Sequence, residues 1–346
     1  MSRYSAIITA AVCLALFAGA GVSPRTHAQQ RTPTNTDLEI LPVRPNFYVI
    51  AGAGANVAVS VGREGLVVVD TGAAASAPRL LAALDRIAER HATRVQGAEQ
   101  RPRIRFIFNT SGHPDHIGGN EALAKAGVSL AGGGGGGGGI GALVNNAGAA
   151  AILSHNNVLL RMSQPDTRIP VAAWPTESYT GRLRSYYLND EGIQVIHQPS
   201  AHSDGDSFVT FRRSDVIVTG EVFDMTRFPV IDLAKGGSLH GTLDALSRLV
   251  DMAIPPVPLI WQEGRTYLIP SRGRISDQAD LIEYRDMMVI IRNTVEDMIK
   301  SGMTLEQVKK ADPIKAYRGR YGAGTGPWTA DMFVEAVYKS LNGNKT

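Results

Sequence analysis

The sequence predicts a layered α/β fold, and three features carry that expectation. Short β-type runs recur at Asn46–Ile50, Val57–Val61, Gly65–Asp70, Arg103–Asn109, Ile193–Gln198, Ser207–Phe211 and Val216–Thr219, separated by glycine and asparagine turns. Helical patterns lie between and after them. Histidines and carboxylates gather where the strands end, and loops at strand ends bring distant residues into one cleft in such a fold.

The elements follow in order. A helix is expected over Ala77–Arg90, with Ser76 as its N-cap and Pro78 in its first turn. Glu121–Ala126 reads as a helix leading to a strand at Val128–Leu130, and Asn156–Met162 as a further helix. A long amphipathic pattern covers Asp277–Lys300 and stops at Gly302. Thr304 and Gln307 form a capping-box pair. Thr329–Leu341 carries Phe333, Val334, Val337 and Leu341 on one face.

The first 28 residues read as a secretory signal peptide rather than as part of the fold. Arg3 supplies the positive start, Ala6–Val22 the apolar run, and Thr26-His27-Ala28 a small-x-small cleavage site before Gln29. A secreted or periplasmic protein is therefore expected, with no stable membrane span after cleavage. Residues 29–36 form a polar linker. The only cysteine, Cys13, lies in the leader, so the mature chain has no disulfide, thiolate ligand or cysteine nucleophile. Losing Arg3 and Arg25 lowers the formal charge from +3 to +1, and no basic stripe interleaved with aromatics points to nucleic acid. A small-molecule partner is expected.

Residues 131–151 contain eight successive glycines, Gly132–Gly139. Glycine loses the most backbone freedom on ordering, which favours a flexible surface loop. GGIG and LVNNAG resemble pieces of short-chain dehydrogenases, but they are fused with no strand–helix unit between them. That disfavours a nucleotide site.

The chemistry concentrates in NTSGHPDHIGGN, residues 109–120. His113, Asp115 and His116 stand within four residues, flanked by Gly112 and by Gly118 and Gly119. His202 follows a later strand and Glu221 another. Imidazole and carboxylate together suit zinc, with manganese or iron as other choices. His155, His197 and His240 are read as surface or hydrogen-bonded histidines. Asp204 and Asp206 read as turn residues beside His202.

This stretch resembles the His-x-His-x-Asp-His signature loop of the metallo-β-lactamase superfamily. GLVVVDTG, SAHSDGDSFVTF, IVTGEVF and LIPSRGRISD resemble that family's further landmarks in order. The resemblance spans roughly Asp37 to Asp277. It implies a four-layer αβ/βα sandwich over residues 37–276, to which the helical patterns read above add C-terminal helices over 277–346. It also implies a site at one edge between two sheets, with Asp70 as a buried aspartate behind it. The first metal position would use residues 111, 113 and 202, the second Asp115, His116 and residue 272, with residue 221 bridging.

Three positions depart from that pattern. Ser111 and Arg272 stand where the family has histidines, and Glu221 where it has an aspartate. A neutral hydroxyl is a weak zinc ligand, and a guanidinium cannot ligate at all. Arg272 either enters the second position as an internal cation or turns to solvent.

Two readings follow. In one, a single zinc of weakened affinity sits on His113, His202 and Glu221 and activates water against a β-lactam, lactone or ester, with Asp115 and Arg272 as catalytic partners. In the other, no metal binds and the protein is a pseudoenzyme or small-molecule binder. The glycine run would border the cleft as a flap.

Overall fold

The computed structural model describes residues 38–95, 98–129, 148–256 and 264–343. The leader, the linker and the glycine run fall outside them.

Two sheets form the centre. The first contains β1 (Glu39–Arg44), β2 (Phe47–Ala51), β3 (Val57–Gly62), β4 (Gly65–Val69), β7 (Ile104–Phe108), β8 (Ala151–His155) and β9 (Glu177–Tyr179), in the order β1-β2-β3-β4-β7-β8-β9. Its first four strands are antiparallel and its last four are parallel. A small hairpin, β5 (Thr93–Val95) with β6 (Ala98–Gln100), stands apart from it. The second sheet runs β10 (Leu183–Leu188), β11 (Glu191–Gln198), β12 (Asp206–Phe211), β13 (Val216–Gly220) and β14 (Tyr267–Pro270). Only the β13–β14 pair is parallel.

Side-chain alternation along each strand builds the layers, because successive residues point to opposite faces. In β2, Phe47 and Val49 enter the core between the sheets, while Tyr48 and Ile50 pack under the helix Ala77–Arg90 with Leu80, Leu84 and Ile87. The ring of Phe47 meets Phe211 of the other sheet edge-on, with centroids 4.8 Å apart. In β13, Val216 and Val218 face the first sheet, while Ile217 faces the opposite way. The result is helix, sheet, sheet, helix: the four layers expected from the sequence.

The fourth layer comes mainly from the C-terminal helices. Tyr284, Met288 and Ile291 of the helix Gln278–Lys300 and Phe333 of the helix Ala330–Asn342 share one core with Phe208, Ile217 and Leu268 of the second sheet. The helix Leu239–Met252 completes it with Leu246 and Leu249. A chain ended at Asp277 is accordingly expected to bind a hydrophobic dye and to lose its cooperative thermal transition, because an apolar sheet face would lie open. A sharp, dye-free melt of that fragment would contradict this.

Several local expectations change. Ser76 makes no side-chain cap, since its own backbone is helical (φ −89°, ψ −11°) after a short 3₁₀ turn. Val128 and Ser129 form no strand; Val128 N instead donates to Ile104 O at 2.9 Å. The capping box of Thr304 and Gln307 forms in full.

Candidate active site

The ends of β4, β7, β13 and β14, with the loop after β11, converge at one edge between the sheets. Asp70 follows β4 in the left-handed region (φ 62°), which an aspartate adopts more readily than most residues. It is fully buried. One carboxylate oxygen accepts from Thr110 N at 2.8 Å, and the other from Thr110 Oγ1 at 2.6 Å. The second oxygen also lies 2.7 Å from His116 Nδ1.

His116 sits on the short helix Pro114–Ile117, whose N-terminus is capped by the His113 side chain. Close backbone approach demands the two glycines that follow. A Cβ on Gly118 would lie 2.2 Å from Ala74 N, and one on Gly119 would lie 2.4 Å from Thr71 O. The other ring nitrogen of His116 meets Glu221 Oε1 at 2.9 Å and Ser271 Oγ at 3.2 Å. Burial alone would lower the His116 pKa, but the carboxylates of Asp70 and Glu221 raise it to about 10. At neutral pH it is an imidazolium donating from both nitrogens.

Glu221 is enclosed by donors. Its Oε1 accepts from His116, from Ser271 Oγ at 3.3 Å and from Arg272 Nη1 at 3.2 Å. Its Oε2 accepts from Arg227 Nη2 at 3.0 Å. Burial opposes its charge, yet His116, Arg272 and His202 hold its carboxyl well below the usual range.

Arg272 enters the site. Its guanidinium pairs with Asp115, with Glu221 at 3.2 Å and with Asp224 at 3.3 Å. Burial works against this charge, but Glu221, Asp224 and Asp115 raise its pKa above the ordinary value. Arg227 ties Asp224 at 2.9 Å to the same cluster.

His113 and His202 stand on the other side, with ring centroids 5.9 Å apart. His113 Nδ1 is 3.7 Å from Glu221 Oε1. Burial, with His116 and His202 adding to it, lowers the His113 pKa to about 4 against the pull of Glu221 and Asp115. The ring is therefore neutral at physiological pH. His202 Nδ1 lies 3.3 Å from Asp206 Oδ1. Burial disfavours its charge, but Asp206 raises its pKa above the ordinary value. Asp206 also accepts from Ser203 N at 2.6 Å, so it positions His202 rather than making a plain turn. Ser111 Oγ is buried and accepts from His113 N at 3.1 Å.

The structure thus gathers Asp70, Ser111, His113, Asp115, His116, His202, Glu221 and Arg272 in one place. Sequence reasoning missed Asp224, Arg227 and Ser271. The first two stand three and six residues beyond Glu221, in EVFDMTR, so their proximity was the available signal. His155 and His197 form a stacked pair, 3.6 Å between centroids, and His197 Nε2 lies 2.7 Å from Asp204 O. His240 is exposed.

These donors do not fit the superfamily's zinc ions. A catalytic zinc takes three protein ligands with open lone pairs. Arg272 stands among the second position's carboxylates, and Glu221 already accepts from His116, Ser271, Arg272 and Arg227. Among the described residues, no group of three or more His, Cys, Asp or Glu is arranged to hold a metal ion.

The protonation states set a stability profile. His116 has a folded pKa raised from 6.5 to about 10. Its contribution is full below pH 6.5, declines as pH rises through the window up to about 10, and is gone above it. His113 has a folded pKa lowered to about 4, so it costs stability as pH falls from 6.5 toward 4. Unfolding free energies measured across pH should therefore fall on both sides of neutrality. His116→Gln should flatten the alkaline limb; an unchanged limb would remove His116 as its source.

The fold defines the class: it is the αβ/βα sandwich of the metallo-β-lactamase fold. Residues 50–129 match the family described as the metallo-beta-lactamase superfamily. Among solved structures, a double mutant of the sec-alkyl sulfatase PisA1 is similar at TM-score 0.57 and 13% identity, over 87% of this chain and 50% of that one. The stereoselective inverting sec-alkylsulfatase Pisa1 from Pseudomonas sp. gives 0.54 and 14%, with the same coverages. A metallo-beta-lactamase from Pontibacter korlensis gives 0.51 and 14%, over 73% of this chain and 99% of that one. The chain thus spans about half the length of the alkylsulfatase structures. A search of curated proteins finds no match. No helix among the described residues is long and apolar enough to cross a membrane.

Proposed function

We propose that this is an exported, metal-independent member of the hydrolase fold that binds a small molecule at the His113 edge of a pocket held by fixed cations. The observation that carries this reading is Arg272, whose guanidinium engages Asp115, Glu221 and Asp224 together. With Arg227 and the His116 imidazolium it supplies positive charge in the place where the superfamily uses metal. His113 and Asp115 are the partly exposed groups at the mouth. A neutral imidazole there can accept from a ligand hydroxyl or donate to a carbonyl. Export rests on the N-terminal leader, and sequencing the N-terminus of the purified protein tests it.

The competing reading is a one-zinc hydrolase of β-lactams, lactones or esters, with His113, His202 and Glu221 around the ion. The neutral state of His113 and its 3.7 Å approach to Glu221 favour it. It requires Glu221 to give up the hydrogen bond it accepts from His116. A bound zinc would supply an acidified water.

Elemental analysis after mild purification, with turnover assays on lactam, lactone and ester panels, separates the two. Protein free of metal that turns over nothing and is stabilised by a panel compound is the expected result. Near one equivalent of zinc with chelator-sensitive turnover would establish the competing reading instead.

A further inference from the structure

Four hairpin turns meet at the end of the sandwich remote from Asp70 and Glu221. They are the β1–β2 turn at Asn46, the β3–β4 turn at Arg63, the β10–β11 turn at Asn189 and Asp190, and the β12–β13 turn at Arg213. Strands of about five residues separate them from the active-site edge, a distance of roughly 17 Å. The turns line an open cavity of about 450 Å³, within the size range of small-molecule sites.

The floor of this cavity is cross-tied between the sheets. Asn189 and Asp190 adopt left-handed backbones (φ 55° and 58°), the pair that a tight two-residue hairpin turn requires. Asn189 Nδ2 donates to Gly65 O at 3.0 Å, and its Oδ1 accepts from Glu64 N at 3.2 Å. The Asn189 backbone N donates to Glu64 Oε2 at 2.7 Å. On the other side, Arg44 Nε donates to Ser214 O at 2.9 Å, and its guanidinium lies 4.5 Å from the centroid of the Tyr267 ring. Binding would not have to order these turns first, and that keeps its entropic cost low.

Arg63 and Arg213 differ from the rest of the lining. Both are exposed, and among the described residues neither makes an ion pair or a hydrogen bond. One comes from each sheet, and they share the cavity with Arg44. A planar guanidinium presents paired N–H groups matched to an oxyanion. Asp190 is the acidic residue on the rim.

We propose that this cavity is a second ligand site, separate from the active-site edge, that takes a small organic oxyanion, a phosphate or carboxylate, clamped between Arg63 and Arg213. The site acts as an anchor for an anionic effector.

The test is isothermal titration of the full-length protein with inorganic phosphate and, separately, with succinate, at constant ionic strength with chloride as control. Saturable one-site binding in the millimolar range or tighter is expected, and the tighter of the two anions identifies the headgroup. Arg63→Gln with Arg213→Gln should weaken it by about tenfold or more, since charge-assisted contacts are the strong ones. Asp190→Asn should tighten it about threefold by removing a like charge. All three positions lie on turns, and unchanged melting curves in chloride would verify the fold of the variants. Absence of saturable binding to either anion, or equal affinity in the double variant, would overturn the proposal.

Discussion

The double variant Ser111→His, Arg272→His is expected to bind zinc more tightly than the natural protein. The two changes act on separate obstacles. The first adds an imidazole beside His113 and His202, giving the first position three nitrogen donors without Glu221. The second removes the guanidinium that engages Asp115, Glu221 and Asp224. With the cation gone, Glu221 and Asp115 regain free lone pairs. Zinc at one hundred times its dissociation constant would stabilise the variant by about 2.7 kcal/mol. Melting temperature against zinc concentration reads this directly. A variant that neither retains zinc nor melts higher with it would show that residues 111 and 272 are not the positions blocking the metal.

Arg272→Ala alone should be among the most destabilising changes at the site. It removes one guanidinium from three carboxylates, and Glu221 and Asp224 are each about 1% exposed. Breaking a buried pair by deleting one partner leaves an uncompensated charge and costs about 3 kcal/mol or more. Arg227 remains on Glu221 and Asp224 and limits the loss. Chemical denaturation measures the difference. The pairwise part comes from a cycle with Asp115→Ala, in which the double variant should lose less than the two single losses together. Additive losses would mean that Arg272 and Asp115 do not act on one another.

Much of this arrangement was legible in the sequence because the relevant residues sit at strand ends. Asp70, His113, His116, His202 and Glu221 each follow a short hydrophobic run, and such runs set where the chain must leave a sheet. The entry of Arg272 was not legible. Whether a side chain after β14 turns inward depends on carboxylates contributed by the loop after β7 and by the end of β13, and spacing along the chain does not encode that. Asp224 and Arg227 were missed for the same reason, because their partners are set by the bend after β13. Strands β8, β9 and β10 also escaped the reading. The first two carry few alternating apolar residues, and β10 is mostly exposed (Leu183, Arg184, Ser185 and Tyr187), so burial on one face leaves a weak period-2 signal. The helix Leu239–Met252 had a usable signal, with Ser238 as N-cap and Leu239, Leu243, Leu246 and Leu249 on one face, and it went unread.

The covering of the second sheet has a consequence for biosynthesis. Phe208, Ile217 and Leu268 are made well before Tyr284, Met288, Ile291 and Phe333, which close over them. A chain emerging from the ribosome therefore carries an open apolar sheet face until its last helices are available. Unshielded faces of this kind drive association between partly folded chains. Growth conditions that slow or truncate synthesis within residues 278–337 should raise the aggregated fraction more than pauses earlier in the chain, and a holdase chaperone would be most needed in that interval.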